Sequence, residues 1–350
     1  MPTFDQLFTK EFIKTPGEHG VIYGTTGSGK TNLLVDIVLK LKHHANETII
    51  WRDYGKEIET LALAQYYPLK FFYPSGSTDE ISLKVKNYDG LSFKPISYYR
   101  FQDAEDILTH LDRKAINVLS MRRFLLDSGI FSEFWSRFFD MFLTYALQGK
   151  LPRPITFAID EMNNICPARG QGTADNITQA NKLTNRIAFS IQNLRAMQTR
   201  LLATSHGITA IKKNVRTQFQ WVFFKRLNES IDVDIPRLKM TQAIVQGLQP
   251  HQVVTVLPSK VYTDPTSNIP YHLKLSKLPD KQRPYIEYNG VFEYVQEKKQ
   301  SSTQILGDFR KGLAVDLYLR DGMLPSDIAD RLGVSDRQVR RYLEGCKNYT

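Results

Sequence analysis

The chain contains few cysteines and no long apolar run, and each shortage excludes a class of protein. Two cysteines in 350 residues, Cys166 and Cys346, are too few for a disulfide framework or a structural zinc site. No stretch has the roughly 18 consecutive apolar residues of a transmembrane helix. The N-terminus, MPTFDQLFTKEF, carries early charges and is not a secretory signal. We expect a cytoplasmic protein (in the host cytoplasm if viral) without a membrane span.

Acidic residues are outnumbered by basic ones. The chain has 36 Asp and Glu against 46 Lys and Arg, which gives a net charge of +10. This excess favours a polyanionic partner, and it is concentrated at Ile211–Arg216, Phe224–Arg226 and Arg337–Arg341. The hydrophobic content of 42% is ordinary for a globular protein.

One glycine-rich stretch, GTTGSGKT, fits the phosphate-loop pattern G-x-x-x-x-G-K-[ST] between an apolar run and an amphipathic segment. Its glycines allow backbone N–H groups to converge on a phosphate. The lysine is expected on the β and γ phosphates, and the last threonine on Mg²⁺. The alternative is an ordinary glycine-rich turn. The predicted site for ATP comprises Gly24, Thr25, Thr26, Gly27, Ser28, Gly29, Lys30 and Thr31.

Two carboxylates close the apolar run ITFAID and form the second half of the predicted site. Asp160 is expected to hold Mg²⁺ together with Thr31, and Glu161 to polarise the attacking water. The alternative is that both residues cap the following helix, where negative charge suits the helix dipole.

A third apolar strand, LLATSH, ends in Thr204, Ser205 and His206. Polar side chains at this point would lie near the γ phosphate and could sense hydrolysis. Serine and threonine also end many ordinary strands, so this indication is weak by itself.

Apolar runs alternate with amphipathic segments, which predicts an α/β fold with a mostly parallel sheet and helices on both faces. We predict an ATPase domain over residues 1–295, a linker over 296–306 and a helical domain over 307–350, and we expect Pro258–Pro284 to be irregular. The predicted strands are Gly20–Gly24, Glu47–Asp53, Leu69–Ser75, edge strands within Ile81–Phe101, Pro154–Glu161, Arg200–His206 and Phe219–Leu227, and the helices are Lys30–His44, Asp103–Leu111, Ser132–Lys150 and Asn176–Thr199.

From Gly20 to Leu227, the order of phosphate loop, ITFAIDEMNNICP, long helix and RLLATSHGITAIKKNVRTQFQ resembles the FtsK–HerA superfamily of DNA-pumping ATPases. The resemblance implies a RecA-like P-loop NTPase fold and a ring, commonly a hexamer, with DNA through its centre. Ser205 stands where the family has glutamine, which leaves the sensor open between Ser205 and His206.

The same resemblance implies an arginine finger that reaches into the site of a neighbouring subunit. Arg195 lies where several relatives carry an arginine before the sensor strand, and Arg186 and Arg216 are its competitors. For each of the three, an ordinary surface arginine is an equally good interpretation.

The C-terminal stretch, Gly307–Cys346, has the periodicity of three short helices. Gly333 is placed for a tight turn, and Ser335 with Gln338 matches a capping box. The pattern resembles the helix-turn-helix domains of transcription regulators and recombinases, and the alternative is a three-helix protein-interaction module. The residues predicted to contact DNA are Arg337, Gln338, Arg340 and Arg341.

Together these patterns predict an ATP-driven DNA translocase with a DNA-binding tail. The competing hypothesis is a nucleotide-switched DNA-binding regulator that moves nothing, and translocation of protein is a weaker third. Packaging, conjugation and chromosome movement all use such a core, so the partner beyond DNA could be a capsid or a transfer machinery. The absence of an apparent membrane segment slightly favours a viral or plasmid protein.

Overall fold

The computed structural model divides the chain into two compact units, Met1–Tyr294 and Val295–Thr350. The predicted linker, 296–306, lies outside the described residues. The structure describes residues 8–53, 57–74, 81–84, 92–120, 128–168, 177–228, 231, 242–257, 261–266, 269–288, 314–315, 317–318, 323–332 and 334–344.

The first unit is built on a ten-stranded sheet in the order β11-β10-β9-β1-β8-β7-β2-β6-β3-β5. All neighbours pair in parallel from β9 to β5, whereas β10 is antiparallel to β9 and to β11, and β4 pairs only with β12. The strands are β1 (Gly20–Tyr23), β2 (Thr48–Asp53), β3 (Leu69–Pro74), β4 (Ile81–Lys84), β5 (Ile96–Phe101), β6 (Ile116–Ser120), β7 (Ile155–Ile159), β8 (Thr199–Ser205), β9 (Trp221–Phe224), β10 (Val253–Val256), β11 (Val261–Thr266) and β12 (Tyr285–Tyr288).

Helices cover both faces of this sheet. The α-helices described in the first unit are α1 (Lys30–Ala45), α2 (Glu57–Leu63), α3 (Ala104–Thr109), α4 (Ser128–Leu147), α5 (Ile177–Ala196), α6 (Lys213–Arg216) and α7 (Gln242–Gln246). Side chains of α3, α4 and α5 pack in one core, and those of α1 and α2 pack in the other. Along β1, Val21 and Tyr23 face the first core and Ile22 the second, as the alternation of a strand requires. The predicted fold class is therefore confirmed.

Four of the described strands, β6, β10, β11 and β12, were not predicted from the sequence. The prediction that Pro258–Pro284 is irregular is wrong for β11, whose Asp264-Pro265 pair reads as a turn but is tolerated at the edge of a sheet. In β6, the buried Asn117 interrupts the apolar run, and its side-chain amide donates to the carbonyl of Ile49 at 2.9 Å. The strand β10 has only four residues.

The second unit contains helices α8 (Pro325–Leu332) and α9 (Asp336–Leu343). The Ser335 half of the predicted capping box is confirmed, because Ser335 Oγ accepts a hydrogen bond from the backbone N–H of Gln338 at 3.3 Å. The side chain of Gln338 instead donates to the hydroxyl of Tyr342. A small apolar core joins these helices to helical residues near position 315 and comprises Ala314, Leu317, Ile328, Ala329, Val339 and Leu343.

None of the helices in the described ranges combines the length and the apolar character that crossing a membrane requires.

Candidate active site

The order of the strands assembles the site. Strand β8 lies between β1 and β7, with Tyr23 level with Ser205 and Ile159 level with Ala203. Since all three strands are parallel, the segments that follow them meet at one edge of the sheet. These segments are the glycine-rich loop after β1, His206 after β8, and the pair Asp160 and Glu161 after β7.

The loop after β1 is held by the backbones of its neighbours. Gly24 N–H donates to the carbonyl of Ser205 at 3.2 Å, and Thr25 N–H to that of Arg226 at 2.8 Å. A Cβ on Gly24 would lie 2.6 Å from Ser28 Oγ, so no larger residue fits there. Gly29 has φ 90°, a left-handed conformation that glycine adopts without strain, and immediately precedes α1.

The side chain of a buried lysine packs next to Gly24 and Gly29 of this loop. Lys225 follows β9, and its ammonium group donates to the carbonyl of Pro250 and, at 2.7 Å, to that of Gln252. Burial lowers the pKa of Lys225 to about 8. Lys225 lies in the basic run Phe224–Arg226, but its role is not visible in the sequence because its partners come from a distant turn.

Lys30, on the first turn of α1, contacts a histidine from the neighbouring strand. Its Nζ donates to the carbonyl of Thr25 at 3.0 Å and lies 3.2 Å from Nδ1 of His206. The other ring nitrogen of His206, Nε2, lies 3.5 Å from a carboxylate oxygen of Glu161. One side chain therefore spans the distance between the phosphate loop and the acidic pair.

The hydroxyl of Thr204 positions the acidic pair. It donates to Oδ1 of Asp160 at 2.7 Å and accepts from the backbone N–H of Glu161 at 2.8 Å. Thr204 is completely buried, and Asp160 is 3% exposed. Glu161 adopts φ 58°, which is unusual for a residue with a side chain and costs roughly 1–3 kcal/mol at such positions. The Thr204 hydroxyl therefore fixes the direction in which the chain leaves β7.

A second buried cation lies beside the acidic pair and was not predicted. Arg52, on β2, is fully buried and donates from Nη1 to the carbonyl of Asp160 at 2.7 Å. Its guanidinium also lies over the ring of Trp135, 5.1 Å from the centroid. The only sequence signal was a charged residue inside the apolar run ETIIWRD.

These residues fit a magnesium-bound nucleoside triphosphate. Thr31 offers a half-buried hydroxyl at the start of α1, and Asp160 offers a carboxylate, which are the oxygen ligands that Mg²⁺ prefers. The hydroxyl of Ser28 is buried inside the loop and has no hydrogen-bond partner within the described part of the chain. Such an unsatisfied group suits a loop whose remaining partner is a phosphate.

Ser205 and His206 are placed differently. The hydroxyl of Ser205 is buried and donates to the carbonyl of Gly207 at 2.9 Å, whereas His206 faces both Lys30 and Glu161. Of the two candidate sensors, His206 is therefore the one that contacts the predicted catalytic residues.

The three candidate finger arginines have different surroundings. The side chain of Arg195 is 54% exposed and pairs with Glu18 at 2.9 Å. Arg186 pairs with Asp140, and Arg216 is buried with its guanidinium against the carbonyls of Ile208 and Ile211.

In the second unit, the residues predicted to contact DNA lie on the outer surface of α9. Gln338 donates to the hydroxyl of Tyr342 at 2.9 Å, and Arg340 pairs with Asp336 at 2.8 Å. The exposed residues are Arg337, Gln338, Arg340 and Arg341.

The comparisons with known proteins identify the C-terminal unit most directly. Residues 308–346 match the homeodomain-like domain family. This domain class includes helix-turn-helix folds, in agreement with α8 and α9. No curated protein matches the chain.

The chain is also similar to solved structures, over 71% to 95% of its length. The genome packaging NTPase of Sulfolobus turreted icosahedral virus 2 is 12% identical, with 71% of this chain and 96% of that chain covered and a TM-score of 0.44. EssC (ATPases 2 and 3) from Geobacillus thermodenitrificans is 9% identical over 95% and 45%, with a TM-score of 0.38. The pCW3 conjugation coupling protein TcpA is 12% identical over 71% and 62%, with a TM-score of 0.35. All three similarities are remote.

Replacing Thr204 tests how the acidic pair is held. Thr204→Val keeps the shape but leaves the Glu161 N–H without this acceptor and Asp160 without this donor, so ATP turnover should fall about tenfold or more. Thr204→Ser is the matched control, since it retains the hydroxyl and should stay near wild type. Steady-state hydrolysis and urea unfolding report activity and stability separately. Equal turnover in the two variants would contradict the positioning role.

Proposed function

We propose that the chain is an ATP-dependent DNA translocase of the FtsK–HerA type. The observation that carries this proposal is the convergence of Lys30, His206 and the pair Asp160 and Glu161 at the carboxyl edge of β1, β8 and β7. A site that only held a phosphate would need the loop and its lysine. A carboxylate at the same edge of the sheet, here connected to that lysine through His206, supplies what hydrolysis needs in addition.

Each side chain has a distinct role in this proposal. Lys30 neutralises charge on the transferred phosphoryl group, and Glu161 orients a water for in-line attack and accepts its proton. Thr31 and Asp160 would hold Mg²⁺, which supplies further neutralisation of phosphate charge when bound. Burial of Asp160 and Thr204 keeps the acidic end of the site rigid.

The proposed assembly is a ring, commonly a hexamer, in which a neighbour completes each site with an arginine. Arg195 remains the proposed finger, because its side chain is 54% exposed although it pairs with the buried Glu18. Arg216 is the weakest candidate, since its guanidinium is buried and bonds to a backbone carbonyl of the same subunit, that of Ile211.

Motion could pass from the site to DNA through the turn that follows β8. Two of its backbone groups bond to the turn after Glu161: Lys212 N–H donates to the carbonyl of Cys166 at 3.2 Å, and Ala210 accepts from Ala168 N–H at 3.0 Å. The turn leads into α6, whose Lys213 is exposed. A shift at His206 or Glu161 would therefore move the basic stretch Lys212–Arg216, and we propose that its exposed Lys213 faces DNA.

The proposed process is packaging or transfer of a viral or plasmid genome, with a capsid or a transfer machinery as a further partner. The homeodomain-like tail favours DNA over protein as the polymer that is moved, because helix α9 exposes three arginines. A regulator that hydrolyses ATP without moving DNA shares these features. Only experiments distinguish such a regulator from a translocase.

Glu161→Gln tests hydrolysis. The amide keeps the size of the side chain but cannot take a proton, so turnover should fall about 10²–10⁴-fold while ATP binding stays near wild type. Lys30→Ala is the contrasting variant and should lose binding itself. Hydrolysis is measured with and without duplex DNA, and binding by calorimetry with a non-hydrolysable ATP analogue. Normal turnover in Glu161→Gln would show that Glu161 does not have this role. If duplex DNA does not change the hydrolysis rate of the wild-type protein, the proposal of a DNA motor would be weakened.

Charge on α9 tests the tail. Arg337→Ala and Arg341→Ala should each weaken duplex binding by the full-length protein and lower the salt dependence of log K by about 1 if the side chain contacts a phosphate. Arg331→Ala, an exposed arginine on α8, is the control and should change little. Fluorescence anisotropy across a salt series measures both quantities. Identical losses in all three variants would indicate a general charge effect without a recognition surface.

A further inference from the structure

His206 occupies the space between two groups that a bound nucleotide would separate. Its Nδ1 lies 3.2 Å from Nζ of Lys30 and 3.5 Å from Oγ1 of Thr26, and its Nε2 lies 3.5 Å from Oε1 of Glu161. The side chain is 41% exposed, so it has room to leave this position.

The chemistry of the partners determines where the ring carries its proton. The ammonium group of Lys30 has only donors, so Nδ1 must be the acceptor in this contact. A neutral ring then carries its hydrogen on Nε2, which faces the carboxylate of Glu161. Lys30, His206 and Glu161 therefore lie in a row, with a hydrogen bond from Lys30 to Nδ1 and a longer contact of 3.5 Å between Nε2 and the carboxylate.

This chain competes with the substrate. Lys30 is the side chain that reaches the phosphates in such loops, and phosphate oxygens are charged acceptors that bind an ammonium more strongly than a neutral imidazole nitrogen does. A phosphate on Lys30 therefore replaces Nδ1. The ring then loses its shortest contact to the loop and keeps the longer contacts to Thr26 and Glu161, both at 3.5 Å, which hold it less firmly.

We propose that His206 is a latch that reports phosphate occupancy to Glu161. While its Nδ1 contacts Lys30, the ring also lies against Glu161, whose carboxylate accepts a hydrogen bond from the side-chain amide of Asn164 at 3.0 Å. With nucleotide, the ring is released and Glu161 becomes available to water. This inference rests on the proposed ATP site and adds a resting state to it.

Two substitutions separate the two arms of the latch. Asn places its amide about as far from the backbone as Nδ1, so His206→Asn can keep the Lys30 contact and lose the Glu161 contact. Gln reaches about as far as Nε2, so His206→Gln can keep the Glu161 contact and lose the Lys30 contact. His206→Ala loses both.

The first test is nucleotide affinity, measured by calorimetry with a non-hydrolysable ATP analogue and Mg²⁺. Because the bond from Lys30 competes with the phosphate, His206→Ala and His206→Gln should bind the analogue about fivefold more tightly than wild type. His206→Asn should stay near wild type. Equal affinity in all four proteins would overturn the latch.

The second test measures the wild-type protein itself, and a variant serves only to assign one signal. In ¹⁵N-histidine spectra of the wild-type protein, the Nδ1 signal of His206 should be that of an unprotonated acceptor and should move when the analogue is added. Its assignment comes from its loss in His206→Asn, and buried His19 serves as an internal reference. If calorimetry shows binding and the signal does not move, the latch is wrong and the ATP site stands. If the analogue does not bind at all, the proposed function and the latch fail together.

Discussion

The hydroxyl of Thr204 is the contact on which the geometry of the active site depends. It joins the ends of β7 and β8, because it donates to Asp160 and accepts from the N–H of Glu161 at the same time. Without it, the left-handed conformation of Glu161 would lack this stabilising partner, and the two carboxylates would lose their fixed directions. A buried hydroxyl that satisfies two partners is worth more than either bond alone, since removing it leaves both groups unsatisfied.

The central position of β8 places one strand against both halves of the candidate site. The strand that follows the long helix α5 is inserted between the phosphate-loop strand and the acidic strand, and it contributes Thr204 to one neighbour and His206 to the other. The buried cations Arg52 and Lys225 flank this arrangement at the acidic end and behind the loop. In the proposed translocase, hydrolysis must be coupled to motion, and β8 could transmit it because this strand contacts both halves of the site.

Local patterns allowed much of this to be predicted from the sequence, and long-range contacts explain what was missed. The glycine spacing before Lys30 and the apolar run before Asp160 each carry their signal within a few residues, so the fold class and the two halves of the site were accessible. The supporting roles of Arg52 and Lys225 depend on partners on distant strands and turns. The choice between Ser205 and His206 depended on which way each side chain turns at the end of β8, which the sequence alone does not specify.

The central claim is that hydrolysis at this site moves DNA. Displacement of a short third strand from a duplex tests it most directly, since a protein that tracks along the duplex must remove the third strand on its path. We predict that the full-length protein displaces the strand with ATP, and that neither the non-hydrolysable analogue nor the Glu161→Gln variant supports displacement. DNA-stimulated hydrolysis with the third strand still in place would contradict translocation and favour a nucleotide-switched regulator.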